Sequence, residues 1–176
     1  MQEMDPTTNR NVIKSCMIDI QNLEMTQRCF LRKAAAFQNM DYWEVLKTIG
    51  LFSLQRRHER YRIMYLWCIL EGFVPNPKPN QIYSKDHPRH GRTCAVPIVK
   101  SGSYQRTIYS SFSVQSALLF NCLPSGLRNL TGCGKTVFKA NLDKYLRTVP
   151  DEPQIVGYTA YRRAETNSLL DMVKLQ

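Results

Sequence analysis

The 176-residue sequence predicts a mainly α fold with a short β-hairpin. Segments beginning near residues 20, 53 and 133 carry apolar residues at the three- and four-residue spacing of amphipathic helices. Stretches 93–99 and 104–112 are rich in Val, Ile, Thr and Tyr and are separated by Ser101-Gly102-Ser103, which favours two paired strands. A chain of this length forms about one domain, or at most two small ones, with a hydrophobic core.

The first predicted helices follow a flexible N-terminal segment at residues 1–17. From Ile20 onward, apolar side chains recur at near-helical spacing, namely at Leu23, Phe30, Leu31, Ala34 and Phe37. Asp41 and Glu44 have the spacing of an N-cap residue and its N3 partner. They predict a second, short helix that ends at Gly50, where a left-handed C-cap is favoured.

The strongest helical pattern begins after Ser53, a predicted N-cap. Its apolar stripe steps by four and three residues through Leu54, His58, Tyr61, Tyr65 and Cys68, and Gly72 with Pro75 ends it. Its first turns also carry four arginines: Arg56, Arg57, Arg60 and Arg62. Cations at the positive end of a helix dipole do not stabilise the helix. A phosphate backbone bound at this end is therefore the simplest reason for them.

The remaining chain divides into a loop, a helical segment and a tail. Residues 75–112 read as a basic, proline-containing loop followed by the hairpin, with cations at Lys78, Lys85, Arg89 and Arg92. Residues 113–149 form a C-terminal helical segment, with helices at 113–121 and from about Cys133 to Arg147. Residues 150–176 contain few large apolar side chains and predict a flexible tail.

The charge is unevenly distributed. The formal net charge is +10, and residues 51–110 hold ten basic and three acidic side chains while residues 111–149 hold five and one. Such a surplus favours a polyanion, nucleic acid before an anionic membrane surface. The longest apolar run, residues 63–70, is too short to cross a bilayer. We expect an intracellular protein, in nucleus or cytoplasm, with no signal peptide and six reduced cysteines.

The sequence predicts no catalytic site, no metal and no cofactor. Residues 130–136 resemble a phosphate loop, but Asn129 occupies the place of its first glycine, so a turn capping the last helix is favoured. His87, His90 and Cys94 are spaced like three zinc ligands but lack a fourth. Asp86 and Asp143 are the only acids between Gly72 and Val149 and form no pair in sequence.

Basic residues interleaved with aromatic residues are the remaining functional signal. Arg56, Arg57, Arg60 and Arg62 alternate with Tyr61 and Tyr65, a mixture typical of phosphate contact combined with base stacking. A solvated helix face with core tyrosines produces the same pattern.

An ordered series of motifs resembles the region after the polymerase domain in jockey-like non-LTR retrotransposon reverse transcriptases. The first, residues 20–33, contains Leu23-Glu24-x-x-Gln27-Arg28-x-Phe30-x-Arg32. Further matching segments are 42–46, 51–61, 69–75, 111–114, 119–124 and 138–146. The resemblance covers about residues 18–153. Gln115 stands where the family often has arginine, and Phe120, where it often has tryptophan, keeps an aromatic anchor.

This resemblance implies a fragment of a longer enzyme. The family's catalytic aspartates, including a Tyr/Phe-x-Asp-Asp turn, lie upstream of the matched region, and the sequence contains no such turn. Residues 18–74 would correspond to a small, thumb-like helical bundle that packs against the template–primer duplex. By this resemblance the backbone contacts would be Arg28, Arg32, Lys33, Arg56, Arg57 and Arg60.

Two hypotheses of different classes follow. In the first, the chain is non-catalytic by itself and binds the backbone of an RNA or DNA duplex with little sequence specificity. In the second, it is a structural piece whose basic face packs on a missing upstream polymerase domain, a decayed transposon-derived product without activity of its own.

Overall fold

The structure, a computed structural model, describes residues 22–34, 39–75, 77, 81–83, 91–96, 105–152 and 167–173. These ranges contain eight helices and a two-stranded antiparallel sheet, so the prediction of a mainly α fold is confirmed. The predicted N-terminal segment 1–17, the loop cations Lys78, Lys85 and Arg89, and both loop histidines lie outside the described residues.

The chain divides into two compact units. The first comprises Met1–Arg57 with Asp151–Asn167, and the second comprises His58–Pro150 with Ser168–Gln176. Helix α3 (Leu54–Leu70) gives its first turn to the first unit and its remaining residues to the second. This boundary divides the segment 18–74 that the sequence groups together.

The first unit contains helix α1 over residues 22–33, helix α2 (Tyr42–Ile49) and the start of α3. The caps of α2 are as predicted: the Asp41 carboxylate accepts from the Trp43 amide at 2.9 Å, and Gly50 adopts a left-handed φ of 68°. Ser53 caps α3 as predicted, because its Oγ accepts from the Arg56 amide at 3.0 Å.

The second unit is built around the remaining residues of α3. Its other elements are β1 (Gln81–Tyr83), β2 (Arg92–Cys94), α4 (Gln105–Ser110), α5 (Phe112–Asn121), α6 (Ser125–Arg128), α7 (Lys135–Leu146) and α8 (Leu169–Met172). Helices α5 and α7 agree with the two predicted C-terminal helices. At the centre of the core the rings of Trp67 and Phe138 stack 4.4 Å apart, and the Trp67 Nε1 donates to the Leu130 carbonyl at 2.9 Å.

The face that α3 buries differs from the predicted one. Ile63, Leu66 and Trp67 are at most 2 % exposed, whereas Tyr61 and Tyr65 of the predicted stripe are 63 % and 43 % exposed. The buried face also holds the charged residues Arg56 and Glu59, which obscure its apolar period in the sequence. The helix is therefore confirmed. Its predicted core face is right at Cys68, which is buried, and wrong at His58, Tyr61 and Tyr65, which are exposed.

The predicted pairing of the hairpin is also wrong. Strand β2, which overlaps the first predicted strand, pairs with β1 in the register Gln81↔Cys94 and Tyr83↔Arg92. Strand β1 lies in a stretch predicted to be loop. Residues 105–110, predicted as the second strand, form helix α4. Strand propensity depends on an available edge and on packing, so local composition alone does not decide such short segments.

Side chains form the hydrogen bonds on the edge of β2 that does not pair with β1. The strand predicted at 104–112 does not pair at this edge. The side-chain Oδ1 of Asn121 accepts from the backbone amide of Cys94 at 2.8 Å, and its Nδ2 donates to the Cys94 carbonyl at 2.9 Å. Asn129 Oδ1 accepts from the Arg92 amide at 2.8 Å, and Arg128 Nη1 donates to the Arg92 carbonyl at 3.0 Å. Because these backbone groups are satisfied, no strand is needed on that edge.

A packed helix lies within the predicted flexible tail. In α8, Leu169 is fully buried and Met172 is 3 % exposed. The buried Glu59 carboxylate accepts from Ser168 Oγ at 2.7 Å and from the Leu169 amide at 2.9 Å, at the start of this helix. The prediction of a flexible tail is therefore wrong at residues 167–173, where two apolar side chains and a distant carboxylate fix a short turn.

Candidate nucleic-acid interface

The arginines at the start of α3 were predicted to bind phosphate, and the first of them is buried. Arg56 is fully buried, its Nη2 donates to the Asn167 carbonyl at 3.3 Å, and its Nε lies 3.6 Å from Asp151 Oδ1. Asp151 accepts from both the amide and the hydroxyl of Ser53 at 2.7 Å. The prediction that Arg56 contacts a phosphate backbone is therefore wrong, because no part of its side chain reaches the surface.

Burial also shapes the electrostatics of this pair. Desolvation raises the pKa of Asp151, while its hydrogen bonds from Ser53 and the charge of Arg56 oppose the rise. A buried carboxylate without such partners would favour its neutral form. Arg56 thus stabilises a buried acid of the same unit.

The Gln-Arg motif of α1 has an equally internal role. Glu24 Oε2 accepts from the Leu54 amide at 2.7 Å, and its other oxygen accepts from the Tyr42 hydroxyl. Gln27 donates to the same hydroxyl at 2.9 Å and accepts from Arg57 Nη2. The Arg28 guanidinium lies 4.6 Å from the centre of the Tyr42 ring. These motif residues connect α1, α2 and the first turn of α3.

Two carboxylates therefore compensate for the arginines at the positive end of α3. Glu24 accepts from the Leu54 amide and Asp151 from the Ser53 amide, so both bind free amides at the start of the helix. Acids brought from distant segments supply the stabilisation that the helix sequence lacks. No phosphate is needed to explain these arginines.

In the second unit, Arg60 forms an ion pair inside the fold. Its Nε donates to Asp143 Oδ1 and its Nη2 to Asp143 Oδ2 at 2.8 Å, and its side chain is 11 % exposed. This bidentate pair joins α3 to α7. Of the six predicted contacts, Arg32 and Lys33 on α1 are exposed, and a role for them in phosphate binding stays a prediction.

Arg60 pairs with the one carboxylate that the sequence of α7 places among its cations. Asp143 is the only acid in residues 111–149, and Arg60 occupies it. Lys139, Lys144 and Arg147 are exposed, and their side chains form no ion pair or hydrogen bond within the described ranges. This basic face, which the sequence predicted only as part of a regional charge, is more accessible to an anionic partner than Arg60 is.

An open groove lies along the exposed face of α3 in the same unit. It has a volume of about 500 Å³ and is lined by His58, Tyr61, Arg62, Met64, Tyr65, Cys68 and Phe112. The rings of Tyr65 and Phe112 meet edge to face at 5.4 Å, and the Arg60 guanidinium lies 5.5 Å from the Tyr61 ring. Of the arginines that alternate with tyrosines in sequence, Arg56 and Arg60 are thus engaged internally, whereas Arg62 lines the groove together with the tyrosines.

The glycine-rich turn before α7 binds a carboxylate of the protein itself. Glu71 Oε2 accepts from the Gly132 amide at 2.9 Å, and Glu71 Oε1 accepts from the buried Arg92 at 2.7 Å. Gly134 is the N-cap of α7, which confirms the prediction of a capping turn. Among the described residues no three His, Cys, Asp or Glu side chains are grouped as metal ligands.

Comparison with known proteins finds no matching family model, no similar curated protein and no similar solved structure. Over the described ranges, no helix has both the length and the apolar character that a membrane span requires.

Proposed function

We propose that this chain is a non-catalytic, nucleic-acid-binding portion of a jockey-like non-LTR retrotransposon reverse transcriptase, acting inside the cell on the template–primer backbone. The ordered motifs between residues 18 and 153 support the family, and the charge of +10 supports a polyanionic partner. The observation that carries the binding role is the exposed α7 basic face of Lys139, Lys144 and Arg147, whose neighbouring carboxylate, Asp143, is paired with Arg60.

A salt titration tests this binding. Fluorescence anisotropy with a labelled RNA–DNA duplex should give a log–log slope of about −3 or steeper, because each neutralised phosphate contributes roughly −0.9. Replacing Lys139, Lys144 and Arg147 together by glutamine should make that slope shallower by about 2.7. Lys47→Gln is the matched control, since Lys47 is exposed but paired with Glu152 at 3.5 Å. Binding that ignores salt would contradict the proposal.

A second candidate function is a structural one, favoured by the apolar side chains that α1 exposes. Leu23 is 60 % and Phe30 is 74 % exposed, seven residues apart and hence on one side of the helix. The half-buried side of α1 carries Glu24 and Gln27 instead. In this candidate function the exposed apolar side would pack on an upstream polymerase domain.

Phe30→Asp distinguishes the two functions. If the chain is a structural piece, this variant should lose association with a polymerase domain supplied in trans while its melting temperature stays unchanged. If it is a nucleic-acid-binding portion, the duplex affinity of the variant should fall only by the effect of one added negative charge. Failure of duplex binding together with salt-independent domain association would favour the structural function.

A further inference from the structure

Three aromatic side chains that remain partly exposed in the folded chain line the groove along α3. Tyr61 is 63 %, Tyr65 is 43 % and Phe112 is 39 % exposed. The core of the same unit buries Trp67, Phe120 and Phe138 completely. Large rings gain roughly 1.5–3 kcal/mol from full burial, so three neighbouring rings on one open groove mark a binding surface.

Arg62 is the one formally charged side chain among the residues that line the groove. Arg62 and His58 line it, and neither side chain forms a hydrogen bond or ion pair in the described part of the chain. The nearest acids along α3 and α7 are engaged elsewhere: Glu59 is 2 % exposed and bound at the start of α8, and Asp143 is held by Arg60. The groove therefore complements an occupant that is anionic and also has flat apolar surfaces.

Nucleic acid with unpaired bases has both properties. In a duplex the faces of the bases are covered by their neighbours, and only their edges are accessible in the grooves. In a single strand the faces are free to stack on aromatic side chains, while the phosphates meet nearby cations. An apolar peptide would fill the groove but would leave Arg62 without a counter-charge.

We infer that this groove stacks the bases of an unpaired strand, so that the second unit binds single-stranded nucleic acid more tightly than duplex. This inference rests on the proposed nucleic-acid binding and specifies its substrate class. Tyr61 and Tyr65 supply stacking faces, Phe112 closes the end next to Tyr65, and Arg62 contacts a phosphate. The volume of about 500 Å³ lies in the usual range of small-ligand sites, roughly 300–1,000 Å³.

The experiment compares three probes of equal charge: oligothymidine, an abasic deoxyribose–phosphate strand of the same length, and a blunt duplex with the same number of phosphates. The full chain should bind oligothymidine at least roughly fivefold more tightly than the abasic strand, since base–aromatic stacking contributes a factor of this order or more. Tyr61→Ala should abolish that preference and leave abasic and duplex affinities unchanged. Tyr61→Phe should retain it, because phenylalanine keeps the ring.

A direct readout of stacking accompanies the affinities. A 2-aminopurine base in the strand should lose fluorescence on binding to the wild-type chain and to Tyr61→Phe, but not to Tyr61→Ala. Tyr61 is the most exposed ring of the groove, so its truncation should not unfold the chain, and a thermal melt verifies this.

The possible outcomes distinguish a failure of this inference from a failure of the proposed nucleic-acid binding. If no probe binds, the proposed nucleic-acid function fails. If the abasic strand binds as tightly as oligothymidine, phosphate binding stands and base stacking is overturned. If an apolar peptide competes for the groove while oligothymidine does not, the occupant is a protein segment and the inference is wrong.

Discussion

The two faces of helix α3 use their aromatic side chains in opposite ways. On one face Trp67 is fully buried and stacks on Phe138, whereas on the other Tyr61 is 63 % exposed beside Arg62. The buried face even includes Arg56 and Glu59, while the exposed face carries two tyrosines. The difference teaches that a side chain of this helix is buried where distant segments supply its partner, and that apolar character alone does not decide it.

The largest effect should come from truncating one aromatic residue on each face. Trp67→Ala should cost about 3–5 kcal/mol of unfolding free energy, because it leaves a cavity beside Phe138 and an unsatisfied Leu130 carbonyl. Tyr61→Ala should cost at most about 1 kcal/mol, the scale of its cation–π contact with Arg60. Urea denaturation followed by circular dichroism measures both. Equal losses of unfolding free energy in the two variants would mean that the two faces of α3 contribute equally to stability.

The next effect concerns charge. Arg56→Ala should destabilise the chain by about 3 kcal/mol at neutral pH, since it leaves Asp151, whose side chain is only 19 % exposed, without its guanidinium. Arg32→Ala, on the exposed side of α1, should stay within about 0.5 kcal/mol of wild type. Comparable losses at the two positions would show that the Arg56 pair adds little stability.

The same variant should respond to pH in a defined direction. Burial already raises the pKa of Asp151 in the folded state, so this group favours folding most below its unfolded pKa and loses that contribution as pH rises through the folded value. Removing Arg56 takes away an influence that lowers this pKa. The defect of Arg56→Ala should therefore be smaller at pH 5 than at pH 8. A defect that grows on acidification would refute this electrostatic account.

The sequence predicted most helices because their local signals agree with their environments. Asp41 and Gly50 bound α2 as expected, and Gly72 ends α3 with a positive φ of 80°. It misplaced the core face of α3 because Arg56 and Glu59 find their partners at Asp151 and Ser168, about 100 residues away. Such pairings have no periodic signature along the chain.

The candidate site shows the same limit. Alternating arginine and tyrosine residues predicted an interface on α3, but the pattern does not reveal that Asp143 holds Arg60 or that Arg56 is buried. Conversely, the edge of β2 is satisfied by Asn121, Asn129 and Arg128, so the strand predicted at 104–112 has no edge to join there. In both cases the outcome is decided by polar side chains whose hydrogen-bond or ion-pair partners are distant in sequence.

The smallest effect separates two neighbouring arginines of α3. Arg62→Gln should leave stability unchanged, weaken binding to a single strand only a few-fold, and make the salt slope shallower by about 0.7, the contribution of one phosphate of a single strand. Arg60→Gln should show the opposite behaviour: it breaks the bidentate pair with Asp143 and lowers stability by about 1–2 kcal/mol. Because Arg60 contacts no phosphate, the salt slope of this variant should change only indirectly, through the Asp143 carboxylate that is freed beside the α7 cations. Thermal melts and anisotropy titrations on the two variants measure these quantities. A loss of salt dependence in Arg60→Gln with none in Arg62→Gln would place the phosphate contact at Arg60 and reverse the roles assigned to these arginines.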